Sequence, residues 1–140
     1  YKYQMTDIAA SIGLAGLEEL TETLNHRRRL LEIYRDQMKL LGLNPLLEGD
    51  ILPCYDFTPW LATYICSDNR VSVMNALRDH GIESAQVHYR NDRYSIFKHW
   101  SDREFPNMDQ IEENYLVLPL HTKMTENDVS RIVEVIASLQ

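Results

Sequence analysis

The 140-residue sequence contains no apolar run approaching the ~20 residues that a membrane-spanning helix needs. Its longest candidate, Ile8 to Leu17, is interrupted by Gly13 and Gly16. No signal peptide is visible. Cysteine is scarce: Cys54 and Cys66 lie outside any metal-ligand spacing, which predicts free thiols in a reducing compartment, here the cytoplasm. A basic surplus is also lacking. The 14 Lys+Arg against 21 Asp+Glu leave a net charge of −7, the reverse of a dedicated phosphate-backbone binder, so neither nucleic acid nor a membrane is expected as a partner. What is present is ordinary for a folded domain: 44% hydrophobic and 25% charged residues. A chain of this length buries roughly two thirds of its extended surface. It starts at Tyr1 rather than Met, which predicts a processed chain or a piece of a longer product.

Generic catalytic signatures are missing too. There is no Gly-rich phosphate loop, no His-Glu-x-x-His and no Gly-x-Ser-x-Gly. His26, His80, His88, His99 and His121 are scattered, with no second ligand at i+3 or i+4, so no metal site is expected. Nothing around Cys54 would lower its thiol pKa.

Periodicity and punctuation divide the chain into a helical first third and a mixed remainder. Thr6 or Asp7 can cap a helix from Ile8 that is apolar nearly all round, a pattern that belongs in an interior or an interface. Ala9, Gly13 and Gly16 form a small-residue stripe on it, and two helical glycines call for a packing reason. An amphipathic helix, Leu20 to Leu41, follows. Leu24, Leu31, Tyr34, Met38 and Leu41 mark its inner side, while Arg27, Arg28, Glu32, Arg35 and Lys39 look outward. The triplet Arg27-Arg28-Arg29 reads as a solvated face. Gly42 to Pro59 carries loop chemistry. Trp60 to Cys66 alternates as a strand with two packed faces. Asp68 or Asn69 caps a helix through His80, with Gly81 at its left-handed end. Ile82 to Tyr89 is a predicted strand, Arg90 to Pro106 a long loop, Asn107 to Asn114 a short helix and Tyr115 to Leu118 a short strand. Thr125 to Asp128 forms a capping signature before a last helix with Val129, Ile132, Val133 and Ile136 on one face. The order predicts a small sheet with helices against it.

Two segments exceed what scaffold requires. Tyr1 to Asp7 places polar and aromatic groups ahead of a helix N-terminus, which favours anions; simple capping with two surface tyrosines is the alternative. Val87-His88-Tyr89-Arg90-Asn91-Asp92-Arg93-Tyr94 gathers two tyrosine rings, an imidazole and two guanidiniums. Such a set suits an anionic, ring-bearing ligand, or else is an ordinary polar loop.

Tyr3-Gln4-Met5-Thr6-Asp7-Ile8-Ala9-Ala10-Ser11-Ile12-Gly13-Leu14-Ala15-Gly16-Leu17 resembles a segment of the DegT/DnrJ/EryC1/StrS family of pyridoxal-phosphate-dependent sugar aminotransferases. Three further stretches are similar in the same order: Arg27-Arg28-Arg29 through Tyr34, Leu77 to Ile82 leading to Val87-His88-Tyr89, and Leu118-Pro119-Leu120-His121 with Met124 to Val129. The resemblance implies an α/β (α+β) architecture: the C-terminal small domain of a fold-type-I enzyme, a small mostly antiparallel sheet with helices packed on it. Residues 1–42 would link the large and small domains, and 43–140 would form the small domain. It also implies that pyridoxal phosphate (PLP), a sugar nucleotide and an amino-acid donor belong to a homodimeric parent. The lysine that holds PLP lies upstream in the family. Lys2, Lys39, Lys98 and Lys123 have no such context, so the expected catalytic set in this chain is empty and the chain alone is expected to be inactive.

By the same resemblance, Lys2 and Tyr3 would face the cofactor phosphate, Lys2 standing where the family has Asn. Gln4 stands where the family has an Arg associated with the acidic co-substrate, and cannot make a charged bidentate contact. His88, Tyr89 and Arg90 match a segment near the sugar-nucleotide pocket, Arg90 replacing a common Pro and offering a guanidinium to a diphosphate or a sugar hydroxyl. Two other functions remain open at this level: a stand-alone binding module that kept the fold, and a PLP-dependent sugar dehydratase.

Overall fold

Three of the helices and a short sheet account for most of the hydrophobic burial. The computed structural model describes residues 3–45, 59–66, 69–100 and 103–139. Helix α1 spans Asp7–Glu18 and α2 spans Leu20–Leu40. Strand β1 is Asn44–Pro45 and β2 is Ala62–Ile65; α3 is Arg70–Asp79. Two 3₁₀ turns, Asn91–Arg93 and Ser95–Trp100, precede α4 at Pro106–Glu112. Strand β3 is Tyr115–Leu118 and α5 is Glu126–Ala137.

The local chemistry follows the caps. Thr6 Oγ1 accepts from the Ala9 N–H, Asn69 Oδ1 from the Val71 N–H, and Thr125 and Asp128 close a reciprocal capping box. Asp68, the other candidate cap of α3, lies outside the described residues. Gly42 and Gly81 both adopt φ +72°, the left-handed turn that ends α2 and α3. Pro106 begins α4, where its missing N–H costs nothing.

The sheet is antiparallel in the order β1-β2-β3, with Ala62 opposite Leu118 and Ile65 opposite Tyr115. Along β2 Ala62, Tyr64 and Cys66 are buried and Leu61, Thr63 and Ile65 half-buried, but Trp60, expected to begin the strand on the first of these faces, precedes it and is exposed. Helix α5 packs against α2 and α3. Leu30, Tyr34 and Met38 of α2 join Leu77, Leu116, Val129, Val133 and Ile136 in one core. Across it the Tyr34 hydroxyl donates to the Pro119 carbonyl at 3.0 Å, and burial pushes the phenol's pKa well above its ordinary value. The architecture is the α+β arrangement of helices on a small antiparallel sheet that the resemblance implies.

Several expectations need correction. Ile82 to Tyr89 is not a strand: a single antiparallel bridge joins Ala85 to Val117. The third strand is Asn44–Pro45, in a stretch whose composition reads as loop. Arg90 to Pro106 contains two 3₁₀ turns, and ion pairs of Arg90 with Asp92 and Asp109 tie its first residues to α4. Arg27, Arg28 and Arg35 are half-buried, and the Arg27 guanidinium donates to the Pro59 carbonyl at 3.4 Å. Leu41 is exposed, because α2 ends one residue earlier and the chain turns there.

Helix α1 has no buried residue. Ile8 is 76% exposed and Ile12 69%, and a Cβ added at Gly13 or Gly16 would meet nothing within 4 Å. Among the described residues nothing supplies the packing reason for its small-residue stripe.

Candidate functional site

The chain leaves the sheet immediately after the Ala85–Val117 bridge, whose two N–H···O bonds measure 3.3 and 2.8 Å. Two residues earlier on β3, the Tyr115 carbonyl accepts instead from the Arg70 guanidinium at 3.3 Å. The following backbone is held by a side chain. The Tyr115 hydroxyl accepts from the His88 N–H at 3.0 Å and donates to the His88 carbonyl. The His88 ring lies 6.2 Å from that of Trp60, tilted by 58°. Both His88 and Tyr89 are exposed.

Arg90 is different. Its side chain is 6% exposed and its charge is spent inside the chain. It grips Asp92 with two bonds, at 3.0 and 2.6 Å, donates to Asp109 on α4, and lies 3.6 Å from Glu112. Arg93 completes the network with an ion pair to Glu112 at 2.5 Å. The bonds from Arg90 hold the Asp92 carboxyl below the usual carboxylate range, and those from Asp92 and Asp109 raise Arg90 further above its own. A guanidinium engaged by three carboxylates is not free for a diphosphate. In this structure it fastens the 88–93 segment to α4.

A cavity of about 940 Å³ opens beside that segment, lined by Leu61, Thr63, Tyr89, Tyr94, Phe105 and Met108 among others. Its character is aromatic and apolar, with the carboxylate-balanced Arg90 as the cation among its described lining residues. A second cavity, about 550 Å³, lies past Gly81, between the Ile82–Ala85 stretch and the turn at His121, with Lys123 and Arg131 at its rim.

The structure therefore brings His88, Tyr89 and Arg90 to one cavity and leaves the other expected residues elsewhere. Tyr3 and Gln4 are exposed on the extended lead into α1 and do not line it. Lys2 and Cys54 lie outside the described residues. Cys66 is buried. Among the described residues no cluster of three His, Cys, Asp or Glu side chains could hold a metal ion, and no helix is long and apolar enough to cross a membrane. Sequence reasoning passed over Tyr115, Trp60, Asp109 and Glu112. The one available signal was the i, i+3 carboxylate pair on α4, which reads as helix surface.

Pyridoxal phosphate does not fit the 88–94 cavity. No described lysine lines it, and its guanidinium is already neutralised. The described residues around that cavity do not by themselves build that cofactor's pocket.

Comparison with known proteins places the chain. The model of the DegT/DnrJ/EryC1/StrS aminotransferase family matches residues 1–137. An uncharacterized Methanocaldococcus jannaschii protein, MJ1066, is 26% identical over 146 aligned residues, covering 99% of this chain and 38% of that protein. The sugar aminotransferase CalS13 of Micromonospora echinospora is 27% identical with a TM-score of 0.85, covering 99% of this chain and 36% of the other. Spr1654 of Streptococcus pneumoniae, solved in PLP and PMP forms, shares the fold at a TM-score of 0.85, 24% identity and the same coverage. The chain thus spans little more than a third of the length of these relatives.

Proposed function

Because the chain belongs to the DegT/DnrJ/EryC1/StrS aminotransferase family, we propose that it is the C-terminal part of a PLP-dependent enzyme that moves an amino group from an amino acid to a keto-sugar nucleotide. The cofactor of the family is PLP. Glutamate is the proposed donor, and the working form is a cytoplasmic homodimer. The observation that carries this reading is the match over nearly the whole chain to a sugar aminotransferase, at a TM-score of 0.85 and 27% identity.

Within the proposal, residues 1–42 link the large and small domains and 43–140 form the small domain. Lys2 and Tyr3 approach the cofactor phosphate from their place ahead of α1, and Gln4 the co-substrate. His88 and Tyr89 present exposed polar rings to the sugar nucleotide. Arg90 serves that face by fixing the loop that carries them. When bound, PLP supplies the electron sink that the reaction needs.

The test is amino transfer by the full-length protein, followed by mass spectrometry of a panel of keto-sugar nucleotides with glutamate. A product heavier by the exchange of oxygen for an amine supports the reading. Loss of the sugar oxygen without nitrogen gain would favour a dehydratase. PLP-independent nucleotide binding with no turnover would favour a binding module.

A further inference from the structure

Antiparallel pairing repeats every second residue along one edge of a strand. Val117 spends its N–H and carbonyl on Ala85, so Tyr115 points its own backbone groups to the same edge, toward the residues that follow Ala85. A continued ladder would pair Val87 with Tyr115 there. It does not form; the Tyr115 carbonyl accepts from the Arg70 guanidinium, which also donates to the Glu112 carbonyl. The Tyr115 side chain engages the next residue instead: its hydroxyl accepts from the N–H of His88 and donates to the His88 carbonyl. The His88 peptide is thus held a ring's length off the sheet, and the cavity lies in the space so kept, with Thr63, Val117 and Tyr115 on its sheet side. The Arg90 network fastens the next residues to α4.

We propose that Tyr115 is a positioning residue for nucleotide recognition: its hydroxyl props the His88 peptide away from β3 and thereby sets where the His88 and Tyr89 rings stand over the aromatic cavity. The inference rests on the reading of 88–94 as the substrate-facing segment, and deepens it. A prop fits better than a stability element because the His88 peptide is at the surface, so water can replace the lost bonds and the fold tolerates the change. What water cannot replace is the fixed distance.

Tyr115→Phe removes one oxygen and keeps the ring and the strand preference. In the PLP-loaded full-length protein, wild type and variant are titrated calorimetrically with UDP, dTDP and GDP. Thermal midpoint, PLP absorbance and hydrogen exchange at the His88 amide are read alongside. The expected result is about tenfold weaker binding of whichever nucleotide the wild type takes, because the loop that carries the two rings then has to be ordered at the moment of binding. His88 exchange should be faster, with midpoint and PLP content unchanged. Asp109→Asn, which loosens the second fastening at an exposed carboxylate, should weaken the same nucleotide by less. Equal affinity in wild type and Tyr115→Phe overturns the inference and leaves the aminotransferase reading standing. Weakening that comes with a lowered midpoint and lost PLP reveals a merely structural tyrosine and overturns it too. If the wild type binds none of the three, the substrate-facing reading of this segment falls first and the inference with it.

Discussion

Helices α1 and α5 are both 12 residues long and both start at a threonine cap, yet one buries nothing and the other anchors the core. In α5, Val129, Ile132, Val133 and Ile136 recur along one stripe, so a single face meets α2 and α3 and the opposite face keeps its charges. In α1 the apolar residues run round the helix, so no single contact can cover them. Leu14 and Leu17 stay more than half exposed while Val129 is fully buried. Apolar content therefore says that a helix has to be covered, and periodicity says whether one neighbour suffices. The exposed apolar surface of α1 is of the kind that marks an interface.

Three perturbations probe that contrast. The largest effect belongs to the core. Leu30→Ala, at a fully buried position of α2 in the same hydrophobic cluster as α5, should cost about 2–5 kcal/mol in chemical denaturation. Leu14→Ala in α1 should stay within about 0.5 kcal/mol in the 140-residue chain. Comparable losses at both positions would mean that α1 packs against something in solution.

Next comes the tyrosine that ties α2 to the turn after β3. Tyr34→Phe leaves the half-buried Pro119 carbonyl without its hydroxyl donor and should cost about 1 kcal/mol at neutral pH. Its pH signature is sharper. The folded-state pKa of Tyr34 is raised, so its contribution is fully present below the ordinary value of 10.0 and is lost as pH rises past it. Wild type should therefore lose stability above pH 10.0 more steeply than Tyr34→Phe when denaturation midpoints are compared. Parallel curves would contradict the buried phenol.

The smallest effect compares the caps. Thr125→Ala should lower global stability by about 1 kcal/mol, because α5 unfolds only with the core. Thr6→Ala removes the same kind of bond from α1, and should fray that helix locally, seen as faster amide exchange at Ala9, with an unchanged global midpoint.

Much of this architecture is legible in single residues. Strand β3 lies where the apolar run Tyr115 to Leu118 puts it, and α5 starts where the Thr-x-x-Asp signature does. Gly81 ends α3 as its conformational freedom predicts. Failures occur where pairing partners matter more than pattern. Ile82 to Tyr89 has strand composition, but it meets β3 at a single bridge, and beyond Ala85 its backbone is held by the Tyr115 side chain instead. Asn44–Pro45 lacks strand composition and still pairs, because the turn at Gly42 delivers it to β2. The candidate site divides the same way. His88, Tyr89 and Arg90 stand out by residue type, and the structure sets them at one cavity. That Arg90 is spent on Asp109 and Glu112, and that Tyr115 holds the His88 peptide, depends on contacts across 19 to 27 residues of chain.

By itself the sequence determined the helices, their caps, the apolar stripe of α5 and the family, because each is written in neighbours within a few residues or in the order of short motifs. The tertiary structure alone decided which strand completes the sheet, which carboxylates Arg90 pairs with and which side chain holds the His88 peptide. Those outcomes are competitions for hydrogen-bond partners between groups distant in the chain, and only the folded geometry settles which partner arrives first.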